Sequence, residues 1–136
     1  MAKALGIDYG TKRTGLAITD ELQIIASSLT TVSTKQLDNY IAKLLNQYNI
    51  ECFVIGDPKN LDGSNTNSSP YVENFVRKLK VSYPKIDIHR IDERYTSKIA
   101  KQSIINSGVN RKRRQDKKLV DKISATIILQ SYLANK

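Results

Sequence analysis

The stretch KALGIDYGTKRTGLAIT, residues 3–19, decides the fold. Lys3 to Asp8 reads as a strand with Leu5 and Ile7 on one face, and Thr14 to Thr19 reads as a second strand. Only Tyr9-Gly10-Thr11-Lys12-Arg13 lies between them. So short a connection predicts an antiparallel hairpin, because a parallel neighbour needs a crossover of about a dozen residues or more. After the polar corner Asp20-Glu21, Gln23 to Leu29 reads as a third strand, which makes the first three a meander.

Further along, the period changes. Leu37, Ile41, Leu44, Leu45 and Tyr48 recur at helical spacing and predict an amphipathic helix over 35–48. Glu51 to Gly56 is a compact apolar strand, so strand, helix and strand imply a right-handed crossover and a parallel neighbour. Asp57 to Ser68 has the composition of an exposed, mobile loop. Ser69 offers an N-cap, and Pro70 suits the first position of a helix that buries Val72, Phe75, Val76 and Leu79 and ends at Tyr83-Pro84. Ile86 to Ile91 reads as the fifth strand. A short helix from about Ser97 to Asn106, stopped by Gly108, leads into a basic linker over 109–118. The last helix spans about Gln115 to Ala134, with Leu119, Ile123, Ile127 and Ile128 facing the core. The order βββαβαβαα predicts an α/β fold: one domain over 1–136, with a five-stranded mixed sheet, three strands antiparallel and two parallel, and helices packed on it.

The charge narrows the function. Lys and Arg number 22 against 13 Asp and Glu, a formal net charge of +9, which suits a polyanionic partner. No apolar run approaches the ~20 residues of a spanning helix, so a membrane partner is not expected. Cys52 is the only cysteine and lies in the apolar run Cys52-Phe53-Val54-Ile55, where an inert buried thiol is expected. Met1 runs into a strand pattern without a signal peptide, which points to the cytosol.

Three acidic positions stand out. Asp8 closes the first strand before a glycine turn, and ligands of open α/β sheets gather outside the carboxyl ends of the strands. Asp92-Glu93 stands just past the fifth strand, at the matching end if that strand runs parallel to the first. Asp121 lies on the last helix beside Val120, Ile123, Ser124 and Ile128, where an unpaired carboxylate is costly. Converging carboxylates repel one another unless a cation lies between them. Oxygen ligands suit Mg²⁺ or Mn²⁺, and such ions activate water and stabilise the leaving oxygen in phosphodiester cleavage. Each acid has a plainer reading on its own: a turn former at Asp8, a solvated pair bridging to Arg94, a surface ion pair of Asp121 with Lys117 or Lys118. Spacing does not show that the three converge.

The residues carry a resemblance. Four segments match in order: Gly6 to Ala17; Val54-Ile55-Gly56-Asp57-Pro58 with Asp62-Gly63-Ser64; Asp92-Glu93-Arg94-Tyr95-Thr96-Ser97; and Asp121 through Ala125 to Leu133. In these the chain resembles the YqgF family, described as Holliday junction resolvases and as pre-ribosomal-RNA nucleases. The resemblance implies the ribonuclease H-like fold and assigns metal-binding, catalytic roles to Asp8, Glu93 and Asp121. Asp57 stands where the family usually has an apolar residue, Ser97 replaces a usual Thr, and Ser124 a usual Ala.

Basic residues flank these positions. Lys12 and Arg13 lie in the glycine turn after Asp8, and Arg94 follows Glu93. Arg111, Lys112, Arg113 and Arg114 open a run that could grip a phosphate backbone or serve as a solvated linker. Tyr9 and Tyr95 could stack on bases or pack at the cleft wall. A metal-dependent nuclease is the leading reading. A nonenzymatic RNA-binding or ribosome-assembly module and a phosphotransferase are its rivals, the last because Gly6 to Thr11 also resembles the first phosphate loop of the actin and sugar-kinase superfamily. That superfamily needs two domains, and this chain has room for one. Between RNA and four-way DNA, RNA is favoured, within a ribosome precursor. Paired junction cuts need a two-fold dimer, whereas the helical stripes here are used by one small core, which suits a monomer or weak homodimer.

Overall fold

The computed structural model describes residues 2–59, 62–93 and 117–135. Five strands, β1 (Lys3–Asp8), β2 (Arg13–Thr19), β3 (Ala26–Ser33), β4 (Ile50–Asp57) and β5 (Asp87–Asp92), form one sheet in the order β3-β2-β1-β4-β5. The meander β1–β2–β3 is antiparallel, and β4 and β5 run parallel to β1, as the short and long connections require. Among the described residues three α-helices accompany them: α1 (Leu37–Gln47), α2 (Ser69–Ser82) and α3 (Lys117–Ala134).

Strand alternation divides the core in two. On one face Leu5, Ile7, Leu16, Phe53 and Ile55 meet Leu37, Ile41 and Leu44 of α1 and Val72, Phe75 and Leu79 of α2. On the other, Ala4, Ala17, Cys52 and Val54 meet Ala125, Ile128 and Leu129 of α3. The strands offer small residues to α3, and the helix therefore lies close. A Cβ on Gly6 would come within 3.0 Å of Leu129 Cβ and 3.1 Å of the Ala125 carbonyl oxygen.

Several boundaries differ from the sequence reading. β3 begins at Ala26 and not at Gln23, because a local carboxylate claims the residues between. Asp20 Oδ1 accepts the amides of Ile24 and Ile25, both at 2.8 Å, and Gln23 takes a positive φ of 55°. Ile24 and Ile25 are thereby left exposed in a turn. A 3-10 turn over Thr34–Gln36 precedes α1. Ser68, not Ser69, holds the N-cap position of α2. The Ser69 hydroxyl instead accepts the Thr66 amide at 2.9 Å and donates to the Pro58 carbonyl at 3.0 Å, which fastens the two ends of the polar loop. Much of that loop is exposed, as its composition predicts, and it is also braced: Lys59 and Asn65 form an antiparallel bridge, with Lys59 Nζ donating to Asn65 Oδ1 at 2.6 Å. On α3, Ser124, Ala125, Ile128 and Leu129 are buried while Ile123 and Ile127 are only half-buried. The close approach to Gly6 sets the contact at Ala125 and Leu129, so the buried stripe runs through Ala125, Ile128 and Leu129 rather than through Ile123 and Ile127. The helix expected over 97–106, most of the basic linker, and Arg94, Tyr95 and Arg111 to Arg114 lie outside the described residues, as does the side chain of Leu119. Among the described residues no helix is long and apolar enough to cross a membrane.

Candidate active site

Asp8 is the last residue of β1, paired with Gly15 of β2. Alternation puts Leu5 and Ile7 under α1 and α2, and therefore Ala4, Gly6 and Asp8 on the face that α3 covers. Glu93 follows β5 and extends its ladder, its amide donating to the Asp57 carbonyl at 3.0 Å. The Glu93 side chain folds back over Gly56. A Cβ at that position would sit 2.5 Å from Glu93 Cδ and 2.7 Å from Ile128 Cδ1, so glycine supplies the hollow that the carboxyl group occupies.

Two strand ends thus bring Asp8 and Glu93 together, and their carboxyl groups share a hydrogen bond. Burial pushes the Glu93 carboxyl above the usual range, the hydrogen bond with Asp8 pulls it down, the charges of Asp57 and Asp92 push it up, and Arg90 opposes them. Asp57 and Asp92 are register partners at the ends of β4 and β5, so acidic groups crowd this end of the sheet.

The direction of α3 locates Asp121. The Tyr132 hydroxyl lies 3.7 Å from Cys52 Sγ, level with Ala4; Ala125 and Leu129 meet Gly6; Ile128 meets the Gly56 position. The helix therefore runs antiparallel to β1, with its first turns toward the carboxyl end. Asp121 precedes Ala125 by one turn on the sheet-facing stripe, which sets its backbone at the end where Asp8 and Glu93 meet. Its side chain is outside the described residues. Among the described residues no group of three or more His, Cys, Asp or Glu gathers as a metal cluster.

The glycine turn is anchored. Thr34 Oγ1 donates to the Gly10 carbonyl at 2.5 Å and lies 3.0 Å from the Thr14 hydroxyl, while the Thr34 amide donates to the Lys12 carbonyl at 3.0 Å. A Cβ on Gly10 would collide with the Arg13 carbonyl oxygen. Lys12 is exposed and Arg13 half-buried at the same end of the sheet as Asp8. Of the two tyrosines considered for stacking, Tyr9 packs on Phe75, ring centroids 4.6 Å apart and planes at 22°.

A charge network escaped the sequence reading. Arg90 of β5 reaches Glu73 of α2 at 2.9 Å and Asp57 of β4 at 3.3 Å, and Lys59 approaches Asp57 at 3.7 Å. Asp57, the departure from the family pattern, is thus held in a network on the α2 face, behind Glu93. The available signal was Arg90 itself, a charge within the strand pattern between Ile88 and Ile91.

The RuvX family, described as Holliday junction resolvase, matches residues 2–135. The chain belongs to this family. A relative from Flavobacterium psychrophilum is 48% identical over 136 residues, covering 100% of this chain and 99% of its own, and one from Christiangramia forsetii is 46% identical over 133 residues, 98% of each. Both bear the name "Putative pre-16S rRNA nuclease". Among solved structures, T. thermophilus RuvC in complex with a Holliday junction substrate superposes with a TM-score of 0.60 at 14% identity, over 99% of this chain and 96% of that one. A second Thermus thermophilus RuvC structure gives 0.54 at 12% identity, over 97% and 96%. The fold is ribonuclease H-like, as the resemblance implied.

Proposed function

We propose that the chain is a metal-dependent nuclease that cuts RNA within a ribosomal RNA precursor, with Asp8, Glu93 and Asp121 as its catalytic carboxylates. The observation that carries this reading is the meeting of Asp8 and Glu93 at the carboxyl end of the sheet, with Glu93 seated in the hollow over Gly56. The names of the close relatives support the RNA substrate, and the basic charge supports a polyanion.

The donor set fits a hard divalent cation. Two carboxyl groups in contact, one with its ionised form disfavoured by burial and by neighbouring acids, are ionised together more readily when further positive charge is supplied. Asp8 and Glu93, joined by Asp121, would hold Mg²⁺ or Mn²⁺. When bound, such an ion supplies activation of water and stabilisation of the leaving oxygen. The protein's own work is positioning. Gly56 and Ile128 fix the Glu93 carboxyl, and the hairpin register fixes Asp8. Lys12 and Arg13, with Arg94 and the run Arg111, Lys112, Arg113 and Arg114, would bind backbone phosphates of the strand held at the carboxylates.

Cleavage of a ribosomal RNA precursor fragment should need Mg²⁺ or Mn²⁺ and stop in EDTA. Asp8→Asn, Glu93→Gln and Asp121→Asn should each lose most of the rate, on the order of 100-fold or more, while staying folded. Full activity in EDTA after removal of trace metal, or wild-type rates in all three variants, would overturn the reading. The family description favours a four-way DNA junction instead, so the same protein is to be assayed on both substrates.

A further inference from the structure

The sheet end that carries Asp8 also opens onto the opposite face. Tyr9 follows Asp8 directly, and alternation turns its ring toward Phe75 of α2. Between that ring, the start of α1 and the first three turns of α2 lies a cavity of about 220 Å³, lined by Tyr9, Thr34, Asp38, Tyr71, Asn74 and Lys78 among others. It adjoins a groove of about 420 Å³ along the two helices, and Asp38, Phe75 and Lys78 border both.

The geometry points to this cavity as a seat for one unpaired nucleobase of the strand held at the carboxylates, an inference that rests on the nuclease reading and deepens it. The lining matches a flat ligand with apolar faces, a polar edge and an anionic tether. Tyr9, Tyr71 and the Phe75 floor supply ring and apolar surface for stacking. Asp38 accepts from exocyclic amino groups, and Asn74 both donates and accepts. Lys78 is a cation for the adjoining phosphate. A free phosphate fits worse, because Asp38 would repel it.

Two further observations support the seat. Tyr71 stands 56% exposed at the second residue after Ser69, where its ring adds little to the core. The rim is also built rather than loose, since Thr34 ties the turn after Asp8 to the start of α1 through Gly10, Lys12 and Thr14. A strand lying across the carboxyl edge of the sheet would pass from Asp8 to Tyr9, adjacent residues of one chain. A base seated there cannot stay paired, so the cavity selects single strands and loops over duplex.

The test uses the intact protein in EDTA and pentanucleotides, RNA and DNA, with 2-aminopurine at the middle position. Binding should quench the probe. Tyr71→Ala and Lys78→Gln should each weaken binding by about 5-fold or more, with unchanged melting temperature because both side chains are exposed. Asp38→Asn should alter the ranking of adenine, cytosine and uracil at the middle position. Quenching by both sugars would mean that base and phosphate are read; quenching by RNA alone would add the 2′-hydroxyl to the seat. An unquenched probe, or wild-type affinity in both Tyr71→Ala and Lys78→Gln, would overturn the seat. Because no cleavage is needed, the two readings fail separately: quenching without metal-dependent cutting counts against the nuclease, and cutting without quenching counts against the seat.

Discussion

Glu93 shows how one side chain's surroundings govern both chemistry and stability. Its carboxyl is held above the ordinary value of 4.5, first by burial and then by neighbouring acids. Without metal, the folded chain therefore binds more protons than the unfolded chain in the window that starts at that value and extends upward. The stability contributed is fully present below the ordinary Glu value and is lost as pH rises through the raised one. Glu93→Gln should flatten this loss, so that the variant melts higher than the parent near neutral pH in EDTA. Added Mg²⁺ should raise the melting temperature of the parent more than that of the variant. Melting curves from about pH 4 to about pH 8, with and without metal, check both statements. Parallel curves for the two proteins would show that Glu93 is not the group under tension.

Among the elements, the polar and basic segments divide their work differently. The 57–68 loop is tied down through Ser69, Pro58 and the Lys59–Asn65 bridge, whereas the run Arg111 to Arg114 is proposed to act through charge. Replacing Arg111, Lys112, Arg113 and Arg114 by Ala should weaken RNA binding for all sequences alike. The slope of log K against log salt should shrink by up to roughly one unit per lost phosphate contact. An unchanged slope would make the run a linker only. How far such elements can be read in advance depends on how local their causes are. The β1–β2 hairpin and α1 were legible because alternation and helical spacing act over a few residues. The start of β3 was not, since the Asp20 carboxylate captures the amides of Ile24 and Ile25 and overrides an apolar pattern. The meeting of Asp8 with Glu93 depends on register across three strands, which no spacing encodes. On α3, Ile128 is buried as expected, but Ile123 and Ile127 are only half-buried, because the residue that sets the contact, Gly6, lies on another element.

For the whole molecule, substrate choice turns on symmetry. A junction needs two coordinated cuts and hence a two-fold pair of sites, while one site suits single cuts in a flexible strand. We expect a monomer or weak dimer in solution that cuts unpaired RNA and leaves four-way DNA without paired nicks. Mass measurement followed by assays on both substrates decides it; a stable dimer making symmetric junction cuts would reverse the choice of substrate and keep the same carboxylates. The position of α3 after all five strands has one more consequence. Proteins are made from the amino terminus, so Asp8 emerges first and Asp121 last. Until the final helix appears, the face carrying Ala4, Gly6 and Ala17 lacks its cover, and the proposed nuclease lacks its third acid. On the proposed reading, a chain synthesised only through β5 and Glu93 holds two of the three carboxylates, a safeguard of value to a protein born against the very class of RNA it is proposed to cut. Nascent chains arrested before residue 117 should bind RNA and leave it intact, and cutting by such chains would show that the safeguard does not exist.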